Sequence, residues 1–228
     1  MSDPRTFGEK ILKFYQSIKL PQAKLSAEVM LPFETREVVE INRQFYDKYY
    51  NDHSDRVFLI GINPGRFGGG VTGIPFTDPL NLDLELGIKN TFTAKHELSS
   101  QFIYAVIKEL GGPESFFSRY YLTAVSPVGF LLNNKNINYY ELSDLVPEWE
   151  SFFVNSLAAQ ISIGARRDTA FSLGQGKNFG YLKKLNSREH WFDRVVELPH
   201  PRWIMQYHYK DRKKFVRKYV RTLAQAWT

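Results

Sequence analysis

From Val57 to Asn63 the chain reads Val-Phe-Leu-Ile-Gly-Ile-Asn, and apolar side chains fall on both alternating faces of that run. A strand that is apolar on both faces belongs inside a parallel sheet covered by helices on either side. Three further runs rich in β-branched or aromatic residues read as strands, at 120–126, 169–173 and 194–198. Helical patterns fill the intervals: 6–18 and 34–49 before the first strand, 99–110 and 146–163 on either side of the second, 176–188 after the third and 208–226 after the fourth. Strand–helix alternation with long crossovers predicts an α/β sandwich around a mostly parallel four-stranded sheet. With no repeat, low-complexity tract or linker, residues 1–228 read as a single domain. Its first 50 residues would form a helical extension packed on the rest.

In such folds ligands bind beyond the carboxyl ends of the strands. The four predicted strands end in Asn63-Pro64-Gly65, Ser126-Pro127, Gly174-Gln175-Gly176 and His200-Pro201, so one edge of the sheet would collect them all. The first of these ends runs on through a glycine-rich stretch, Gly65 to Gly73, to a lone aromatic at Phe76.

Composition narrows the class. Hydrophobic residues make up 43% of the chain, enough for an ordinary core. No apolar run approaches the ~18 residues of a membrane span. The start, Met-Ser-Asp-Pro-Arg-Thr, lacks the basic-then-apolar pattern of a secretory signal. Zero cysteines remove disulfides and cysteine-ligated zinc, and fit a reducing interior. The net charge is +6, and it is concentrated. Between positions 207 and 222 stand Lys210, Arg212, Lys213, Lys214, Arg217, Lys218 and Arg221 against a single acid, Asp211. Such a segment suits a polyanionic partner; charge alone fits a solvated helix face equally well.

The familiar cofactor signatures fail. A dinucleotide fingerprint needs G-x-G-x-x-G running directly into a helix, whereas Gly68-Gly69-Gly70 leads on to Pro75-Phe76. Gly176-Lys177 is followed by Asn178 and lacks the earlier glycine of a phosphate-binding loop. The histidines, His53, His96, His190, His200 and His208, form no metal-ligand spacing. There is no G-x-S-x-G elbow. No cofactor and no metal are expected. Taken singly, Asn63 before Pro64 reads as a turn residue, Phe76 as core, and His200 before Pro201 as a strand-end histidine bonded to backbone.

Their arrangement reads differently. Gly61-Ile62-Asn63-Pro64-Gly65, continuing through Phe67-Gly68 to Thr72-Gly73-Ile74-Pro75-Phe76, resembles the first motif of the single-strand-selective monofunctional uracil-DNA glycosylase family, G-x-N-P-G-x-F-G then T-G-x-P-F. His200-Pro201 is similar to the opening of that superfamily's second motif, and Ser126-Pro127 to the end of the family's second strand. The likeness runs in element order from Val57 onward and omits the first ~50 residues. It implies a three-layer α/β/α sandwich of the uracil-DNA glycosylase type. It also implies a monofunctional enzyme that flips uracil out of DNA and excises it in base excision repair, with no lyase step because neither motif holds a lysine.

The resemblance also implies roles. Asn63 would position the attacking water, and His200, as a neutral imidazole N–H, would stabilise the departing base. Phe76 would stack on that base, with Gly61, Ile62, Gly65 and Ser126 lining its site. Gly65 stands where the most efficient uracil-specific branch carries a tyrosine, so 5-substituted uracils would have room. Two departures stand out. The family's base-reading asparagine falls at Ala124, and Ser126 on the same strand face is the nearest substitute. The wedge segment after His200-Pro201 is Arg202-Trp203 in place of the family's usual Ser-Pro, so Arg202 or Trp203 would fill the gap left by the flipped base. Lys210, Lys213 and Lys214 would meet phosphates. The expected partner is uracil-containing DNA, single- or double-stranded. The protein would be a monomer, of the bacterial cytoplasmic, nucleoid-associated kind or otherwise intracellular, with no membrane association. The alternatives are a glycosylase for hypoxanthine, xanthine or an oxidised pyrimidine, motivated by Ala124, and a non-catalytic nucleic-acid-binding module of the same fold.

Overall fold

The two-faced apolar run forms a strand at Val57–Gly61 and is buried along its whole length. The computed structural model describes residues 3–227. In chain order it begins with helix α1 (Phe7–Gln16), strand β1 (Glu28–Met30) and helix α2 (Arg36–Tyr49). Strand β2 (Val57–Gly61) leads through α3 (Gly69–Thr72), α4 (Pro79–Leu84), α5 (Leu98–Glu109) and α6 (Pro113–Phe117) to β3 (Tyr120–Ala124). Then come β4 (Gly129–Leu132), β5 (Lys135–Ile137), α7 (Pro147–Gly164), β6 (Thr169–Leu173), α8 (Lys177–Glu189), β7 (Arg194–Leu198), α9 (Pro201–Tyr207) and α10 (Arg212–Ala224).

The main sheet has the order β3-β2-β6-β7, and all three of its pairings are parallel. Its two faces are covered by different helices. Tyr121 and Thr123 of β3 both donate to Oε1 of Gln160 on α7, and Tyr121 meets the ring of Phe7 on α1 edge-on at 5.3 Å. On the opposite face Tyr120 donates to the carbonyl of Leu223 on α10, and Phe102 of α5 packs on Tyr219 of α10 at 4.9 Å. The result is an α/β/α sandwich. The predicted strands 57–63 and 120–126 overrun their observed ends by two residues, yet the backbone ladder persists there. Val125 N–H reaches the Gly61 carbonyl and Ser126 N–H the Ile62 carbonyl, each at 3.1 Å.

Two features lie outside the sequence prediction. A second sheet, β1-β4-β5, is antiparallel and sits beside the first motif. Its strands have only three or four residues, too few to register as a hydrophobic period. The predicted helix over 208–226 is preceded by a separate helix, α9, which starts at Pro201 with His200 as its N-cap. The basic stripe keeps its predicted placement. Val216, Tyr219 and Leu223 of α10 are buried, while Lys213, Lys214, Arg217, Lys218 and Arg221 are exposed. Helices α1 and α2 add Phe7, Ile11, Tyr15, Phe45 and Tyr46 to the same core cluster as the sheet. No described helix is long and apolar enough to cross a membrane.

Candidate active site

One cavity opens at the carboxyl edge of the main sheet. Its wall includes Ile62, Asn63 and Gly65 from the end of β2, Phe76 from the glycine-rich segment, Ser126 beyond β3, and His200 and Arg202 at the start of α9. Side chains from four distant parts of the sequence therefore meet at one place.

Asn63 is pinned at both ends of its amide. Its Oδ1 accepts the Tyr139 backbone N–H at 3.1 Å, and its Nδ2 donates to the carbonyls of Ile137 at 3.3 Å and Pro64 at 3.4 Å. Both donor hydrogens are thus turned to carbonyls, and one lone pair of Oδ1 is left over. A fixed, acceptor-only oxygen is the group that can orient a water molecule.

Phe76 is held with φ at 56°, in the left-handed region that bulky residues rarely adopt. Its ring lies over Gly61: a Cβ added at Gly61 would sit 2.6 Å from Phe76 Cζ. Gly61, expected to line the base site, is not itself on the cavity wall; without a Cβ it leaves room for the Phe76 ring that is. Asn42 of α2 supports the same segment by donating to the Thr72 carbonyl at 2.8 Å.

His200 stands 6.4 Å from Phe76, ring centre to ring centre. Its Nδ1 accepts the Arg202 backbone N–H at 3.1 Å. A ring nitrogen that accepts carries no proton, so the proton is on Nε2 and the imidazole is neutral. Burial, reinforced by the nearby Arg202 charge, lowers the imidazole to about 4. Tyr219 steadies the approach to His200 by donating its hydroxyl to the Pro199 carbonyl.

The glycine-rich segment behaves differently from the sequence expectation. The space that Gly65 was expected to leave for a 5-substituent is occupied by the Glu97 carboxyl. A Cβ on Gly65 would lie 2.2 Å from Glu97 Oε1, and one on Gly68 would lie 2.1 Å from Oε2. Ser126 also departs from expectation. Its hydroxyl donates to the Val128 carbonyl at 2.8 Å and accepts the Val128 N–H at 3.3 Å, so it is closed into a local turn. Ala124 lines the cavity and adds no polar atom from its side chain.

The proposed wedge residues separate. Arg202 borders the cavity, whereas Trp203 packs on His208 at 4.1 Å and is 41% exposed on the flank of α9. Lys210, Lys213 and Lys214 are exposed on the turn and helix that follow, away from the cavity wall. Sequence reasoning missed Tyr15, Glu97, Asn136 and Asn138, all on the wall. Asn136 and Asn138 belong to the unforeseen small sheet and its exit. Tyr15 comes from α1, and nothing in its own sequence marks it.

Fold and site together define a class: α/β/α proteins whose wholly parallel sheet presents an amide, a phenyl ring and an imidazole at one pocket. Residues 48–224 match the family model described as the Uracil DNA glycosylase superfamily, and the chain belongs to that superfamily. Its reaction class is DNA glycosylase hydrolysis, and its partner is DNA. The crystal structure of wild-type Pedobacter heparinus SMUG2 is similar at a TM-score of 0.92 and 38% sequence identity, covering 97% of this chain and 98% of that one. That coverage takes in most of the N-terminal residues outside the family match. A comparison with curated proteins gives no match.

Proposed function

We propose that the protein is a monofunctional glycosylase that extrudes uracil from DNA and hydrolyses its bond to deoxyribose. The observation that carries this reading is the convergence of Asn63, Phe76 and His200 on one cavity, with the imidazole proton on Nε2. The extruded base stacks on Phe76. Asn63 Oδ1 holds a water against the sugar C1′. The C1′–N1 bond breaks, its electron pair leaves with the base, and the water oxygen bonds to C1′ while its proton passes to solvent. His200 Nε2–H donates to the uracil oxygen on which negative charge gathers. Such a preorganised donor is worth ~10²–10³ in rate, and holding the water in line supplies much of the rest. A neutral donor suits an anionic leaving group because it stabilises charge without a proton transfer. Arg202, at the rim, takes the space vacated in the duplex, and the exposed lysines of the C-terminal segment meet phosphates.

The direct test is incubation with uracil-containing oligonucleotides, single- and double-stranded, followed by alkali. Strand scission that depends on Asn63 supports the reading; intact strands with both substrates overturn it. A second reading is favoured by one observation: with Ala124 apolar and Ser126 turned away, the usual base-reading amide is missing. On that reading another deaminated or oxidised base is the better substrate. A lesion panel at fixed salt decides between them, and a rate on uracil equal to or above every other lesion dismisses the second.

A further inference from the structure

Several polar groups on the wall around the missing amide are already engaged. Asn63 is pinned, Ser126 is closed, and His200 Nδ1 is occupied. Asn136 Oδ1 accepts the Arg66 N–H at 3.1 Å, while its Nδ2 and the Asn138 amide remain on the wall. The Glu97 carboxyl is set apart by where it is seated. It rests in the cradle left by Gly65 and Gly68, on the cavity wall, and none of the side-chain hydrogen bonds among the described residues goes to its oxygens. Its backbone is held firmly. As N-cap of α5, Glu97 donates its N–H to Oδ2 of the buried Asp78 at 2.8 Å, and Asp78 is itself fixed by the Asn81 N–H at 2.8 Å.

We propose that Glu97 reads the extruded base, in its protonated form, and so supplies the donor and acceptor that Ala124 lacks. This rests on the glycosylase reading above. A neutral carboxylic acid offers an O–H and a C=O side by side, the same pair an amide offers. That pair complements the adjoining N–H and C=O of a lactam-type base edge. A carboxylate only accepts. Several charges face the group. Burial is the largest influence and disfavours its ionised form, Asp78 at the start of α4 adds repulsion in the same direction, and Arg202 of α9 opposes them; together they raise Glu97 to about 7. His96, Arg66 of the glycine segment and Lys135 of β5 line an adjoining cavity with Glu97 and Arg202. His200, across the pocket, is neutral.

The test is single-turnover excision of uracil from an oligonucleotide with enzyme in excess, between pH 6 and 9. Wild type is compared with Glu97→Gln and Glu97→Ala, each checked by thermal melting and by binding to abasic-site DNA. The wild-type rate is expected to fall with rising pH, approaching about tenfold per unit well above the ionisation. Glu97→Gln, a permanent donor and acceptor, should be active, flat with pH, and faster than wild type at pH 9. Glu97→Ala should be about 10- to 100-fold slower than Glu97→Gln throughout. If Glu97→Gln is as slow as Glu97→Ala, the assignment is overturned. Should either variant fail to fold, the wild-type profile decides, and a rate that is level or rises between pH 6 and 9 overturns the assignment. A wild type that releases no uracil at any pH overturns the parent reading and this assignment with it; an active wild type with the wrong profile overturns this assignment alone.

Discussion

The Arg202 backbone N–H donates to Nδ1 of His200 at 3.1 Å, and this one bond decides which imidazole nitrogen carries the proton. The donor on Nε2 is therefore present at every pH above the imidazole's own ionisation, which burial and Arg202 lower to about 4. Replacing His200 with Ala is expected to reduce excision by ~10²–10⁴. Stability carries a second signature. The unfolded imidazole titrates near ~6.5, so between that value and the folded one the unfolded chain binds more protons. Folding stability attributable to His200 therefore falls as pH drops from about 6.5 toward 4. Denaturant melts of wild type and His200→Ala across that window should converge at acid pH, and parallel curves would contradict the buried neutral imidazole.

Asn63 is set by the end of β5 and the segment that follows it, through the Ile137 carbonyl and the Tyr139 N–H. Asn63→Ala is expected to lower the single-turnover rate by ~10²–10⁴ while leaving affinity for abasic-site DNA within about twofold of wild type. A variant that loses affinity and rate together would give Asn63 a binding role in place of water positioning.

How far the sequence reached follows from what each signal encodes. Strand β2 was legible because burial on both faces writes a continuous apolar run, although the run continues two residues past the observed end at Gly61. Strands β4 and β5 were not, since three or four residues carry no measurable period. Their turn did leave a mark: Asn133 and Asn134 both have positive φ, at 50° and 59°, as a tight hairpin demands. An Asn-Asn pair between short strands is a weak signal, and reading it would have put Asn136 near the site. Glu97 was illegible for a different reason. Its importance lies in the two glycines it fills, some thirty residues away in sequence, and no local pattern links an acid before a helix to a gap elsewhere. The partners of Asn63 and His200 were hidden in the same way, because a backbone N–H or carbonyl has no residue type to read.

The basic face of α10 gives a prediction about salt. Lys213 and Lys214 are exposed on the helix whose opposite side buries Val216, Tyr219 and Leu223. Changing both to Gln should leave the melting temperature within about 4 °C, because surface substitutions of this kind cost about 0.5 kcal/mol or less each. If they meet phosphates, the slope of log K against log salt should become shallower by about 1–2, and affinity should fall alike for uracil-bearing and normal DNA. An unchanged slope would return this stripe to an ordinary solvated face.

Gly61 and Phe76 couple the sheet to the pocket floor. An alanine at position 61 would bring its Cβ within 2.6 Å of Phe76 Cζ and 3.3 Å of the Thr123 carbonyl oxygen, and the ring is the part able to move. Overpacking of this kind typically costs about 1–3 kcal/mol, and here the displaced ring is also the proposed stacking surface. Gly61→Ala should therefore lose both stability and excision rate, the latter by ~10–10² as stacking of ~1–3 kcal/mol is disturbed. Phe76→Ala removes the clash and the ring together. In the double variant the stability losses should be clearly less than additive, because residues in contact interact by ~0.5–3 kcal/mol in such cycles. The rate should not recover, because the surface for the base is gone. Additive stability losses would mean that the glycine is required for the strand alone. Recovered activity in the double variant would remove Phe76 from the site.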